Sequence, residues 1–405
     1  MSIKSNNLFS NFLILGSGTV ISQLILFLSS PLFSRIYTPT DFGNFTLFSS
    51  YASAISLLSS GRFEQAIVPI KSLTEAYWIK NLSLMIIFFT SLLFLLVGGS
   101  LRFFIHFPTY YLAIPISIFL ISSINVFTFW NLRTQSNILI SKGKIYGSLC
   151  NVFISMFMGF TSVLSNGLIL GVVFGQATNL LLLTKKLKKL KYSSQIFIKI
   201  RVACRRNLDF FVINFPTAIL DTIRILSIPI IVAEQFSVEQ LGLFGLAWKV
   251  IYVPTSAISG ALSQAFLQEI SILRKERLSH YTLNIIKPII IISVITILLY
   301  NLVGPSIFTW IFGKQWYVSA KISVYLFAWM GMNLITSILS NLLIVLRKLK
   351  TQLFFTIGYT VIPVLLLLSK YSSNFTEYIF SLSYTSALYL LIYSFVILTI
   401  VKNKK

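Results

Sequence analysis

Acidic residues are nearly missing from this sequence: its 405 residues hold 10 Asp and Glu against 33 Lys and Arg, and charged residues of both signs make up only 11%. A soluble chain carries about 25% charged residues, so the polar surface that water demands is not there. Cysteine and histidine are scarcer still, with two of each. Cys150 sits in an apolar stretch and Cys204 in a basic one, which excludes a disulfide framework and matches no metal spacing. His106 and His280 lie far apart without a cysteine or carboxylate cluster, so neither a metal centre nor a nucleophile with a nearby base is expected, and the chain reads as a non-enzyme with no cofactor. Gly16-Ser17-Gly18 follows no strand and is not a phosphate loop. Only Lys4 precedes the first apolar segment, which runs to about Phe33 without a small-residue cleavage site, so no cleavable signal is expected.

What is abundant is hydrocarbon. Hydrophobic residues are 56% of the chain, and they fall in stretches about as long as a bilayer core is thick. Apolar runs bounded by charge, Pro or Gly place spans near 9–34, 42–60, 77–98, 110–132, 145–164 and 167–184, then 209–232, 241–265, 284–304, 321–345, 352–368 and 376–401. The reading is an all-α integral membrane protein of about twelve transmembrane helices. Of the 33 Lys and Arg, 26 fall in alternate loops and at the ends and only 5 in the opposite loops, with Arg224 and Lys249 inside spans. Positive residues stay cytoplasmic, so both termini are expected on that side. A charge excess that alternates loop by loop is a topology signal, which removes nucleic acid as a partner.

The basic segment 185–208 divides the chain into six-span halves, 1–184 and 209–405, and itself reads as a cytoplasmic linker lying on anionic lipid. The halves share a pattern: Pro31, Gly43 and Phe45 in the first match Pro229, Gly242 and Phe244 in the second, with Asp41 or Glu239 just before each Gly. Six spans per half is an even number, so the halves keep one orientation and form a parallel pseudo-two-fold repeat, the arrangement of rocking transporters.

Polar stripes cross several spans. Asn214, Thr217, Asp221 and Arg224 share one helical face, as do Lys249, Tyr252, Ser256, Ser259 and Ser263. The second span carries Ser49, Ser53, Ser56 and Ser60, the first offers Thr19 and Gln23, and the tenth holds Asn333, Thr336, Ser337, Ser340 and Asn341. Serines also serve close helix packing, and Asp221 and Arg224 can neutralise each other at i, i+3. An ionisable residue within a span is costly and ordinarily faces a cavity or a partner.

The opening LGSGTVISQLILFLSSPLFSRIYTPTDFGNFTLFSS, followed by SLLSSGRFEQAIVPIKS, resembles the start of the Wzx-type O-antigen flippases. These are the polysaccharide-transport branch of the multidrug/oligosaccharidyl-lipid/polysaccharide exporter superfamily. Pro31, Arg35, Pro39, Phe42, Gly43 and Arg62-Phe63-Glu64 with Ala66-Ile67 carry the match. The resemblance implies a MATE-like fold in a bacterial inner membrane. It also implies flipping of an undecaprenyl-pyrophosphate-linked repeat unit to the periplasmic leaflet by alternating access coupled to a proton or sodium gradient, beside other membrane proteins of glycan assembly. Arg224, Lys249 and Arg62 then become candidates for the pyrophosphate and Asp221 for ion coupling. Gln23, Asn214, Thr217, Tyr252, Ser256 and Asn333 are expected to line a cleft between the halves, while Arg62 and Glu64 also suit an ion pair at a helix end. A multidrug exporter of the same superfamily is the alternative, which a nearly uncharged cavity would favour. A membrane glycan polymerase or ligase ranks below it, because the outward loops are short and poor in His and acids.

Overall fold

The computed structural model describes residues 5–104, 109–161, 166–185, 196–272, 275–346, 348–369 and 374–402, and among these the backbone is helical with no strand. The helices are α1 (Ser5–Leu28), α2 (Ser30–Ile36), α3 (Pro39–Leu58), α4 (Leu73–Phe104), α5 (Ala113–Arg133), α6 (Asn137–Thr161) and α7 (Gly167–Thr184). They continue as α8 (Ile196–Arg206), α9 (Leu208–Gln235), α10 (Val238–Ile272), α11 (Lys275–Phe312), α12 (Tyr317–Val345), α13 (Leu349–Leu368) and α14 (Phe375–Lys402). Each apolar run of the sequence falls on a helix, the first being split at Ser29 into α1 and α2.

Among the described residues, nine helical stretches are long and apolar enough to cross a membrane, with Lys350–Leu366 a shorter tenth. Helices α3 and α6 are not among them: α3 is interrupted by Ser49, Ser50, Ser53 and Ser56, and α6 by Lys142, Lys144, Ser148 and Asn151. The segment expected as a linker contains helix α8, which buries Ile200 and Ala203 against the α4 cluster of Ala76 and Ile79 and exposes Arg201, Arg205 and Arg206. Residues 186–195 of that segment lie outside the described residues, as do Lys4, His106, Arg274, Arg347, Lys370, Lys404 and Lys405.

The chain forms two compact units, Met1–Tyr37 with Asn44–Leu226, and Thr38–Gly43 with Ser227–Lys405, so the division falls inside α9. In the N-terminal unit α6 and α7 pack through reciprocal glycines. A Cβ on Gly147 would lie 2.8 Å from the Gly175 carbonyl oxygen, and one on Gly175 would lie 2.6 Å from that of Gly147. Small residues let backbones approach where no hydrophobic drive separates helix from lipid. Tyr37 closes the same region by donating its hydroxyl to the Ser155 carbonyl at 2.5 Å.

The C-terminal unit contains a second reciprocal contact. Gly43 abuts the Val238 carbonyl and Gly242 abuts the Pro39 carbonyl, and both Gly43 to Gly242 and Pro39 to Val238 are 199 positions apart. Each motif glycine thus abuts the first residue of the other's helix. Phe42 beside them sets its ring edge-on to the fully buried Trp316, 4.9 Å between centroids. Outward, the unit shows bare apolar side chains such as Leu302 at 78% and Trp310 at 80% exposure, a surface suited to lipid rather than water.

Candidate functional site

The expected site residues divide between the units. In the N-terminal unit, α9 presents the polar face read from its spacing. Arg224 donates from Nη2 to Asp221 Oδ1 at 2.8 Å, with both side chains 37% exposed. This pair neutralises itself, and at that exposure it contributes at most about 1 kcal/mol to stability. Thr217 donates to the Asn214 carbonyl at 2.7 Å, so its hydroxyl is held within its own turn. Behind the face, Thr222 donates to the Ala54 carbonyl at 3.1 Å and pins α9 on α3. Gln23 on α1 is half-buried.

Arg62 lies elsewhere on the same unit. It occupies a left-handed turn, φ 61°, that follows Gly61 at φ 62°. Next to it the Phe63 ring stacks on Phe211 at 5.9 Å, which stacks on Phe215 at 4.7 Å. Phe211 precedes Arg224 by thirteen residues, about 20 Å of helix, so Arg62 and Arg224 hold opposite ends of this α9 segment. The ion pair expected between Arg62 and Glu64 is not formed among the described residues: buried Glu64 accepts from the Ser60 hydroxyl, and Arg62 Nε is buried without a partner. Burial holds the Glu64 carboxyl above the usual carboxylate range, opposed by the Ser60 hydrogen bond and the nearby Arg62 charge.

Two cations were counted only as topology markers. Arg133 at the end of α5 closes the Arg62 loop, donating from Nη1 to the carbonyls of Ile67 (2.8 Å), Val68 (3.0 Å) and Ile70 (2.5 Å) and from Nη2 to that of Lys71 (3.2 Å). Lys80 on α4 is buried, its ammonium 4.4 Å from the Tyr77 ring centroid and 4.8 Å from that of Trp130. Ring faces attract a desolvated cation. Tyr77 is one turn away on the same helix, but Trp130 lies fifty positions after Lys80, and the carbonyls that Arg133 reaches precede it by more than sixty.

In the C-terminal unit Lys249 sits half-buried on α10 between two aromatic residues. Trp248 stacks on Tyr252 at 5.6 Å with their planes 13° apart, and meets Trp329 edge-on at 5.1 Å. Trp329 donates its indole N–H to the Tyr359 hydroxyl at 2.8 Å, which fixes the group. Tyr252 is 42% exposed. The sequence marks Tyr252 as lining but not Trp248, one turn before it on α10, or Trp329, which joins them from α12. Ser256 donates to its own helix at Val253 O, 3.0 Å, and Asn333 is half-buried on α12. The remaining serines serve packing: Ser259 bonds Ser337, Ser263 donates to the Ser337 carbonyl at 3.2 Å, and Asn341 Nδ2 donates to Ser263 O and Oγ at 3.1 and 2.7 Å. No group of three or more His, Cys, Asp or Glu able to hold a metal occurs among the described residues.

Solved transporters share this architecture. An inward-closed lipid II flippase MurJ superposes with a TM-score of 0.70 at 14% identity, covering 94% of this chain and 87% of that one. An inward-facing multidrug resistance MATE family transporter of the MOP superfamily gives 0.64 at 14% identity, over 100% of this chain and 97% of the other. A MATE in complex with MaL6 gives 0.59 at 13% identity, with 97% of each chain covered. At such identity the likeness establishes the fold, an all-helical MATE-like one. No curated protein matches the sequence. The family described as polysaccharide biosynthesis protein matches residues 32–321, most of the chain. A multi-pass helical chain with this fold and this match is a member of the polysaccharide biosynthesis protein family.

Proposed function

We propose that the protein flips an undecaprenyl-pyrophosphate-linked O-antigen or related polysaccharide repeat unit from the cytoplasmic to the periplasmic leaflet of a bacterial inner membrane, by ion-coupled alternating access. In this reading both termini are cytoplasmic, the halves 1–184 and 209–405 are repeats joined by the basic segment 185–208, and other membrane proteins of glycan assembly are its neighbours. The observation that carries the proposal is the combination, on α10, of a half-buried cation with a partly exposed aromatic stack, Trp248–Lys249–Tyr252, in a chain of a polysaccharide biosynthesis family. A repeat unit of a few sugars brings on the order of ten hydroxyls, and each one buried without a partner costs roughly 2–7 kcal/mol. Unassisted crossing is therefore prohibitive. Aromatic faces and helix-borne amides replace water around sugar rings, while Lys249, Arg224 and Arg62 offer charge to the pyrophosphate, Arg doing so bidentately.

The Asp221–Arg224 pair suits a coupling role. Protonation of Asp221, or a sodium ion beside it, releases the guanidinium for an anionic headgroup. The likeness to MATE transporters favours a second reading, a multidrug exporter, for which the paired and therefore neutral Asp221–Arg224 also suits an uncharged cargo.

One complementation experiment separates them. The double variant Arg224→Ala, Lys249→Ala should reduce surface glycan in a flippase-deficient strain at least tenfold while its membrane level is unchanged, and Asp221→Asn should flip without dependence on the ion gradient. Full surface glycan from the double variant refutes the pyrophosphate role. Failure of the wild-type chain to complement any such strain, together with drug resistance on expression, establishes the exporter reading.

A further inference from the structure

Within the N-terminal unit is a small open cavity, with a wall of mixed polar and apolar groups, that none of the functional residues above explains. It measures about 180 Å³ and is lined from α1, α6 and α7 by Ser22, Lys144, Ser148, Asn151, Gln176 and Asn179 among others. Leu26, Val172, Gly147 and Gly175 complete its wall.

Its polar groups are arranged with one bias. Lys144 is the sole charged residue in the lining. Its ammonium donates to the Thr19 hydroxyl at 2.8 Å and makes no ion pair among the described residues. Gln176 accepts at Oε1 from the fully buried Ser117 hydroxyl, 3.0 Å, and Asn151 accepts at Oδ1 from the fully buried Ser155 hydroxyl, 3.2 Å. These serines engage the carbonyl ends of both amides, and the NH2 ends have no protein acceptor among the described residues. Asn179 has its Oδ1 buried against the Gly143 backbone, an acceptor without a partner that is turned away from the open volume. The cavity thus holds spare donors, one of them cationic. Water can satisfy donors, but it does not balance an ammonium inside a helix bundle, where an unpaired charge is costly.

We propose that this cavity binds a small oxyanion, held by the Lys144 ammonium and by the amide donors of Asn151 and Gln176. The space is below the ~300 Å³ at which pockets for drug-sized molecules begin, so the ligand is a single phosphate or carboxylate group rather than an oligosaccharide. The group belongs either to a free ion or to the head of a lipid inserted beside α1. None of the residues belongs to the α9 and α10 faces, so the inference does not depend on the cargo assigned to them.

The test uses the full chain in phosphatidylcholine nanodiscs. Binding of radiolabelled inorganic phosphate and of acetate is measured by equilibrium dialysis, and a third arm titrates phosphatidic acid into the discs and follows the melting temperature. One saturable site is expected in at least one arm, weakened at least tenfold by Lys144→Gln and within threefold of wild type in Lys144→Arg. Gln176→Met keeps the lysine and the side-chain size, and should weaken binding several-fold even if Lys144→Gln folds poorly. Saturation by free phosphate or acetate assigns a free-ion site, and saturation by phosphatidic acid alone assigns a headgroup. Absence of saturable binding in every arm, or binding indifferent to both Lys144→Gln and Gln176→Met, overturns the proposal.

Discussion

The cavity of the N-terminal unit and the α10–α12 seam of the C-terminal unit use the same residue types to opposite ends. Along the seam three polar side chains find partners on the facing helix: Ser259 with Ser337, Ser263 with the Ser337 carbonyl, Asn341 with Ser263. In the cavity the partners come from behind, Ser117 to Gln176 and Ser155 to Asn151, and occupy only the carbonyl end of each amide. A polar residue whose hydrogen bonds close across an interface joins two helices. One whose bonds are completed on a single side keeps chemistry for something else. The difference lies not in composition or helical spacing, which are alike, but in where the second half of each hydrogen-bonding capacity is directed.

The comparison breaks most severely at Gly147. Gly147→Leu puts a branched side chain against the Gly175 carbonyl, where backbone rather than a flexible side chain must move. The expected result is destabilisation of about 3 kcal/mol or more, read as loss of monodisperse protein on size-exclusion chromatography; a normal elution profile would show that α6 and α7 tolerate separation. The seam is next. Asn341→Leu removes two hydrogen bonds to Ser263, and interhelical bonds in membranes are worth about 0.6–2 kcal/mol, so the melting temperature in detergent should fall by a few degrees while oxyanion binding in the cavity is unchanged. Equal loss of binding would mean that the two regions are not separate in function.

The smallest effect concerns Glu64, whose carboxyl accepts from the Ser60 hydroxyl four residues before it. Its carboxyl is raised by burial, so the folded protein holds that proton more tightly than the unfolded chain. The resulting stability is complete below the ordinary carboxylate value and is lost as pH rises through the folded one. Glu64→Gln mimics the protonated form. Its melting temperature should lack the decline that the wild type shows as pH rises above the ordinary carboxylate range; parallel curves for the two proteins would remove the argument.

Much of the fold is legible in the sequence, because apolar runs and helical spacing are local properties. The apolar stretches fall on helices, and Asp221 and Arg224 share a face and pair. The site is less legible. Lys80, Arg133 and Lys144 all read as loop charges that orient the chain, yet one is caged by aromatic rings, one closes the 67–71 turn and one enters a cavity. Trp130, the 67–71 carbonyls and Thr19 all lie far from them in the chain, and a basic residue at a span boundary looks the same whichever of these it does. Likewise Trp248 and Trp329 are unremarked members of apolar runs until α10 and α12 bring their rings together. Charge density marks segment 185–208 as a linker, and the packing of Ile200 and Ala203 against α4 is not visible in it.

Sequence by itself determined the solvent and the helical character, since each is a sum over neighbouring residues. Only the tertiary structure decided which polar residues are consumed and which are left to act. That outcome depends on distances of about 3 Å between atoms on different helices, such as the Lys144 ammonium and the Thr19 hydroxyl, which stand 125 positions apart in the chain.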